Sequence, residues 1–162
     1  MRYYLIGMML SGKSTIAKLL KDKYNYETVD LDNYIEIKEN RTISEIFNTY
    51  GENYFRALET KYLKEVNNKY KVIALGGGTP LYNDLEGKII FLNPPLESLL
   101  TRINPKEIYK RPLLKNVSDF INLYNKRVSS YLEIADIVIS NTEISEILDI
   151  VRSVINEENI SN

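Results

Sequence analysis

The sequence predicts an α/β protein, a five-stranded parallel sheet wrapped by helices on both faces. Short apolar runs alternate along the chain with longer segments of helical period. A glycine-rich loop, Gly7-Met8-Met9-Leu10-Ser11-Gly12-Lys13-Ser14, stands between the first run and the first helix. Chemically loaded residues come just after the runs, at the carboxyl ends of strands, where such sheets bind their ligands.

Taken in chain order, residues 2–6 (RYYLI) read as a buried strand and Lys13 to Tyr24 as a helix opened by the loop. Residues 26–30 (YETVD) read as the second strand, with a helical stretch following Asp30 and Asp32. Ile43, Ile46 and Phe47 share one helical face behind Thr42, a natural cap. Gly51 parts that helix from the next, which runs from Glu52 to about Asn67. Residues 71–75 (KVIAL) and 88–92 (KIIFL) are the third and fourth strands, and Leu96, Leu99, Leu100 and Ile103 mark a helix. The segment 104–116 carries Pro105, Pro112 and five charges with no clean period. A helix from Asp119 to Leu132, a fifth strand at 135–140 (ADIVIS) and an amphipathic helix at 143–157 complete the pattern.

At 162 residues the chain suits one well-buried core and is too short for two ordinary domains. A formal net charge of -1 argues against nucleic acid or an anionic membrane as a bulk partner. Any anion must therefore be caught by a few placed cations. No apolar run is long enough for a membrane helix and no signal-peptide pattern is present, so a cytosolic protein is expected. Cysteine and histidine are absent, which removes disulfides, thiolate nucleophiles, Cys/His zinc sites and imidazole bases. Acid–base work falls to Asp, Glu, Lys or Tyr. Only seven residues are Arg, against fourteen Lys, so the composition does not favour any single Arg.

The loop fits G-x-x-x-x-G-K-[ST], with a strand before it and a helix after it. Its glycines let backbone N–H groups face phosphate oxygens, and the helix N-terminus adds partial positive charge. Lys13 would reach the β/γ-phosphates and Ser14 would offer its hydroxyl to Mg²⁺. This is a nucleoside-triphosphate site. No guanine-reading Asn-Lys-x-Asp occurs; NNKY (67–70) and YNKR (124–127) both lack the Asp. Phosphoryl transfer to a small acceptor fits the chain length best.

Five further segments bear on the site. In VDLDNYIE (29–36), one of Asp30 and Asp32 can face a metal while the other orients an acceptor hydroxyl and takes its proton; both could also cap the following helix. Arg56 and Glu59 are three apart on one helical face, which on its own favours a surface ion pair. The sharper alternative is that Glu59 holds Arg56 rigid to meet a carboxylate. LGGGTP (75–80) implies either backbone in regions only glycine reaches, or a ligand pressed against the main chain. Arg111 in YKRPLLK (109–115) suits a lid that delivers charge to the transferring group, or a solvated basic loop. Arg127 and Tyr131, one helical turn apart, fit plain packing with a solvated guanidinium.

Together these pieces resemble the shikimate kinase family. The match runs through GKST at 12–15, DLD with YIE at 30–36, ISEIF and GENYFRALE at 43–59, and GGG at 76–78. RPLL at 111–114 and R-x-x-x-Y with AD at 127–136 complete it. The resemblance implies a three-layer α/β/α P-loop kinase fold, a single kinase domain over 1–162 with a mobile lid at about 104–116 and a substrate-binding helical segment at about 31–67. It implies transfer of the γ-phosphoryl of ATP to the 3-hydroxyl of shikimate, in the cytoplasm, by a monomer that needs Mg²⁺.

Residue by residue, it implies that Leu10, Ser11, Gly12, Lys13, Ser14, Thr15 and Arg111 bind ATP, and that Ser14 holds Mg²⁺ directly and Asp30 through water. Asp32, Arg56, Arg127 and backbone at Gly77 and Gly78 would hold shikimate, with Glu59 bracing Arg56. Asp32, Lys13 and Arg111 would be the catalytic set. Two positions depart from the family pattern: Leu10 and Asn40 stand where glycine is usual. Asn tolerates the left-handed conformation, so that change is mild; Leu10 is expected to narrow the loop's approach to the β-phosphate. The alternatives are a related kinase for gluconate or a nucleoside monophosphate, or a non-catalytic ATP-binding partner module.

Overall fold

The structure is a computed structural model and describes residues 1–104, 106 and 114–160. The strands are β1 (Tyr3–Ile6), β2 (Thr28–Asp30), β3 (Val72–Ala74), β4 (Lys88–Leu92) and β5 (Ile137–Ile139). They form a five-stranded sheet in the order β2-β3-β1-β4-β5, and every neighbouring pair is parallel. In register, Leu5 stands between Ala74 and Ile90.

β1 lies at the centre, and Tyr3, Tyr4, Leu5 and Ile6 are all fully buried. Side chains alternate across a strand, so this one run feeds two cores. Tyr4 and Ile6 join Ile73, Ile89 and Phe91 on one face. Tyr3 and Leu5 join Val72, Ala74, Ile90 and Leu92 on the other. The first face is covered by α2 (Leu31–Glu39), α3 (Ile43–Tyr50), α4 (Glu52–Asn67), α6 (Leu96–Arg102) and α7 (Val117–Ile134), which bring Leu31, Ile46, Leu63, Leu99 and Phe120 to it. The second is covered by α1 (Lys13–Tyr24) and α8 (Ile144–Ile160), through Ile16, Leu20, Ile147 and Val151. The expected three-layer α/β/α arrangement is present.

Local chemistry explains most boundaries. Thr42 caps α3 in a reciprocal box: Glu45 N donates to Thr42 Oγ1 at 3.1 Å and Thr42 N to Glu45 Oε2 at 2.7 Å. Asn40 ends α2 at φ 50°, the left-handed turn that the resemblance led us to expect there. Asp136, in the AD pair, exchanges two bonds with Ile89 and so pins the start of β5 to β4. β2, β3 and β5 are shorter than their apolar runs. Tyr26 illustrates why: its N–H goes to Leu20 O and closes the end of α1 instead of joining the sheet. A one-turn helix, α5 (Thr79–Tyr82), was not expected, because four residues are too few to show a helical period. Most of the expected lid, with Arg111, lies outside the described residues. No helix among the described residues is long and apolar enough to cross a membrane.

The strand order gathers the chemically loaded segments at one edge. Because β3 lies between β2 and β1 and all three run the same way, their carboxyl ends sit side by side. The three-glycine segment after β3 is therefore flanked by the phosphate loop after β1 and by the two aspartates after β2.

Candidate active site

An open cleft of about 1560 Å³ lies along this edge, lined among others by Lys13, Ser14, Asp32, Arg56, Gly77 and Arg127. That exceeds the usual space for one small ligand, roughly 300–1,000 Å³, and suits two substrates side by side.

On the donor side, α1 begins at Gly12, whose φ of 101° needs glycine. The first turn of α1 has neither a side-chain cap nor an acidic residue, so its N–H groups remain for an anion. Lys13 is 9% exposed and its ammonium donates to Gly7 O and Met8 O, both at 2.8 Å. Ser11 is fully buried, with its hydroxyl close to Gly7. Thr15 is exposed and lines the cleft beside Ser14. Leu10 takes φ 68°, the left-handed region that glycine enters freely, which costs a residue with a side chain roughly 1–2 kcal/mol. Its side chain packs against the first core. The departure at Leu10 thus carries a backbone cost, and Leu10 also lines the cleft.

Ser14 Oγ donates to Asp30 Oδ2 in a short contact, while Asp30 Oδ1 accepts from Asn33 N at 3.0 Å. Asp30 is therefore a helix cap and a partner of the phosphate loop at once. A hydroxyl and a carboxylate, both hard oxygen donors, meet where a divalent cation on the phosphates would need them. No group of three or more His, Cys, Asp or Glu that could hold a metal occurs among the described residues. Two protein oxygens completed by phosphate and water oxygens match the ordinary manner of binding Mg²⁺, so the residues fit that ion.

On the acceptor side, the three glycines do not serve a backbone that only glycine can adopt. None of Gly76, Gly77 and Gly78 has a positive φ. Instead each leaves room for a different side chain. A Cβ on Gly76 would sit 2.5 Å from Asp32 Oδ1, one on Gly77 2.6 Å from Arg127 Nη1, and one on Gly78 2.4 Å from Arg56 Nη1. The main chain is pressed against the protein's own charged groups, and these are brought together by contact with consecutive residues.

Arg56 and Glu59 are no surface pair. Glu59 is 1% exposed; its Oε2 accepts from Arg56 Nη1 at 2.6 Å and its Oε1 from Thr79 Oγ1 at 2.6 Å. Glu52 accepts from Arg56 Nη2 at 3.2 Å. Burial works against the Arg56 charge, but Glu59 and then Glu52 outweigh it and raise its pKa, so the guanidinium stays charged. Arg127 is likewise not solvated, at 6% exposure. Tyr131 is fully buried, packs edge-on against Phe91 at 5.2 Å, and donates through its hydroxyl to Gly77 O. Burial pushes the Tyr131 phenol up to about 12, so it remains a donor at neutral pH.

Comparison with known proteins fits this geometry. The family model described as "Shikimate kinase" matches residues 9–157. The chain belongs to the shikimate kinase family. A shikimate kinase of Clostridium botulinum (strain ATCC 19397 / Type A) is 42% identical over 159 residues, covering 92% of this chain and 93% of the relative. One of Staphylococcus epidermidis (strain ATCC 12228 / FDA PCI 1200) is 36% identical over 156 residues, covering 92% of each. Among solved structures, a shikimate kinase from Acinetobacter baumannii in complex with shikimate superimposes with a TM-score of 0.84 at 28% identity, over 97% of this chain and 93% of that one. As a member of the shikimate kinase family, this chain is an ATP-dependent kinase.

The structure adds a residue that sequence reasoning passed over. Arg102, at the end of α6, donates to Leu10 O at 2.7 Å and to Thr142 O at 3.1 Å, tying the phosphate loop to the segment after β5. It lines the same cleft. The signal available was its place: one of only seven arginines, it closes the helix that follows a strand's carboxyl end. Arg111 lies outside the described residues, so its part in the site stays an expectation.

Proposed function

We propose that this chain transfers the γ-phosphoryl of ATP to the 3-hydroxyl of shikimate. The observation that carries the acceptor is the fan of Asp32, Arg127 and Arg56 over Gly76, Gly77 and Gly78, facing the phosphate loop across one cleft. One buried and one mostly buried guanidinium, with one carboxylate, suit a small acceptor with a carboxylate at one end and a reactive hydroxyl at the other. That the Acinetobacter structure was obtained in complex with shikimate supports the same acceptor.

In this reading Arg56 and Arg127 bind the acceptor carboxylate, each through two N–H donors in a planar fork. Backbone groups of Gly77 and Gly78 hold the ring between them. Asp32 orients the 3-hydroxyl toward the γ-phosphorus and takes its proton as the new P–O bond forms and the bond to ADP breaks. Lys13 swings from the Gly7 and Met8 carbonyls to the phosphate oxygens, while N–H groups of Leu10 to Thr15 and the start of α1 cradle the phosphates. Ser14 directly, and Asp30 through water, would hold Mg²⁺, which when bound neutralises charge on the phosphates. Arg111 closes from the lid. The reading also takes the enzyme to be a cytoplasmic monomer; elution as a single chain in size exclusion tests the oligomeric part.

The deciding experiment is an ADP-release assay with ATP, Mg²⁺ and, in turn, shikimate, gluconate and nucleoside monophosphates. Turnover with shikimate alone is expected. Turnover with another acceptor and none with shikimate would overturn the assignment.

A further inference from the structure

The short helix α5 has no part of its own in the phosphoryl transfer, yet three of its contacts converge on Arg56. Gly78, its cap, leaves the space that the guanidinium fills. Thr79, fully buried, donates from Oγ1 to Glu59 Oε1 at 2.6 Å, on the carboxylate whose other oxygen accepts from Arg56 at 2.6 Å. Tyr82 brings its ring against the guanidinium, with Arg56 Cζ 4.6 Å from the ring centroid. The turn is itself moored to α4: Asn83 Nδ2 donates to Thr79 O at 2.9 Å, and Thr60 Oγ1 donates to Asn83 Oδ1 at 2.7 Å.

Tyr82 is 59% exposed, and a large aromatic placed there gains little from burial of its own. Arg56 lines the cleft, and Tyr82 lies against Arg56. A planar guanidinium stacks well on an aromatic face, and such a stack fixes the plane in which the fork presents its donors. Thr79 does the same through Glu59, because a carboxylate held at both oxygens cannot rotate away from its arginine.

We propose that Tyr82 and Thr79 are positioning residues for acceptor recognition: Tyr82 stacks on Arg56 and Thr79 locks Glu59, so that α5 sets the guanidinium plane that receives the acceptor carboxylate. This rests on the reading that Arg56 binds that carboxylate.

The test is steady-state kinetics and calorimetric acceptor binding for Tyr82→Ala, Tyr82→Phe, Thr79→Val and Thr79→Ser. Tyr82→Ala is expected to raise the acceptor KM roughly two- to fivefold, the scale of an exposed cation–π contact, with kcat and the KM for ATP unchanged. Tyr82→Phe keeps the ring and should match the parent. Thr79→Val keeps the shape and removes the donor, and should move the acceptor KM in the same direction, with Thr79→Ser restoring it. The Tyr82→Ala penalty in binding should vanish for the shikimate analogue whose carboxylate is replaced by a carboxamide. If the parent protein turns over shikimate but Tyr82→Ala leaves the acceptor KM unchanged, or weakens ATP equally, or Tyr82→Phe behaves as the Ala variant does, the role of α5 is overturned while the assigned reaction stands. If the parent protein does not act on shikimate, the assigned reaction fails first and this role with it.

Discussion

The Arg56 guanidinium occupies the space where a side chain on Gly78 would begin, with Nη1 only 2.4 Å and Nη2 2.5 Å from an ideal Cβ. Arg127 stands in the same relation to Gly77. The proposed acceptor half of the site is thus assembled by close approach to a bare main chain, and that makes it sensitive to one added methyl.

Gly78→Ala should leave the protein folded. Its φ of −87° and ψ of −24° accept alanine, and the obstructing atoms are the far end of a flexible side chain. The cost falls on Arg56, which must move. A rise of roughly 10- to 100-fold in the acceptor KM is expected, with the melting temperature and the KM for ATP near those of the parent. An unchanged acceptor KM would mean that Arg56 does not touch the acceptor.

Asp32→Asn removes the proposed base and keeps the shape. A loss of about 10²- to 10⁴-fold in kcat is expected, with nucleotide affinity retained, as read by single-turnover kinetics and by ADP titration. A kcat within a few-fold of the parent would remove Asp32 from that role.

Arg56→Lys keeps the charge and loses the fork that now spans Glu59 and Glu52. The acceptor KM should rise about tenfold or more, the scale of one charged hydrogen bond, while kcat falls less. If ATP binding weakened instead, Arg56 would belong to the donor side.

Leu10 combines a strained backbone with a partly buried side chain. Leu10→Gly loses the packing but relieves the strain, whereas Leu10→Ala loses packing and keeps φ near 68°. The glycine variant should therefore unfold at higher denaturant than the alanine variant, by about 1 kcal/mol. The reverse order would show that the left-handed turn does not strain this loop.

Glu65 accepts from Lys69 Nζ at 2.7 Å and from Tyr34 Oη at 2.6 Å, and Lys38 lies 3.4 Å away. The Lys69 bond, then the Tyr34 bond and Lys38, lower its carboxyl from 4.5 to about 2. A depressed folded pKa means stability that is fully present above the unfolded value and is lost as pH falls toward the folded one. Between pH 4.5 and about 2 the parent protein should lose stability more steeply than Glu65→Gln, as read by chemical denaturation at a series of pH values. Parallel curves would place the acid sensitivity elsewhere.

Much of this molecule is written locally. The phosphate loop, Thr42 as a cap, Gly51 as a separator and the apolar runs of β1 and β4 each depend on residues a few positions apart, so the chain itself displays them. The two-aspartate segment was legible in part: Asp30 caps α2 and meets Ser14, whereas Asp32 falls within the first turn of the helix. α5 was not legible, because a single turn leaves no period, and Arg102 was not, because its partners Leu10 and Thr142 are far away in the chain.

The sequence by itself determined that a triphosphate is held, which strand ends carry chemistry, and through its combined motifs the family. Tertiary structure alone decided where the charged groups beyond the loop stand and how far they are buried. Arg56 with Glu59 reads as a surface pair and Arg127 as a solvated guanidinium until burial is known, because exposure is set by what packs against a helix and not by the helix's own residues. The glycines read as a loop until the strand order β2-β3-β1 brings Asp32, Arg127 and Arg56 onto them one by one. A missing side chain acquires its meaning only from the neighbour that fills its space, and that neighbour is chosen by the fold.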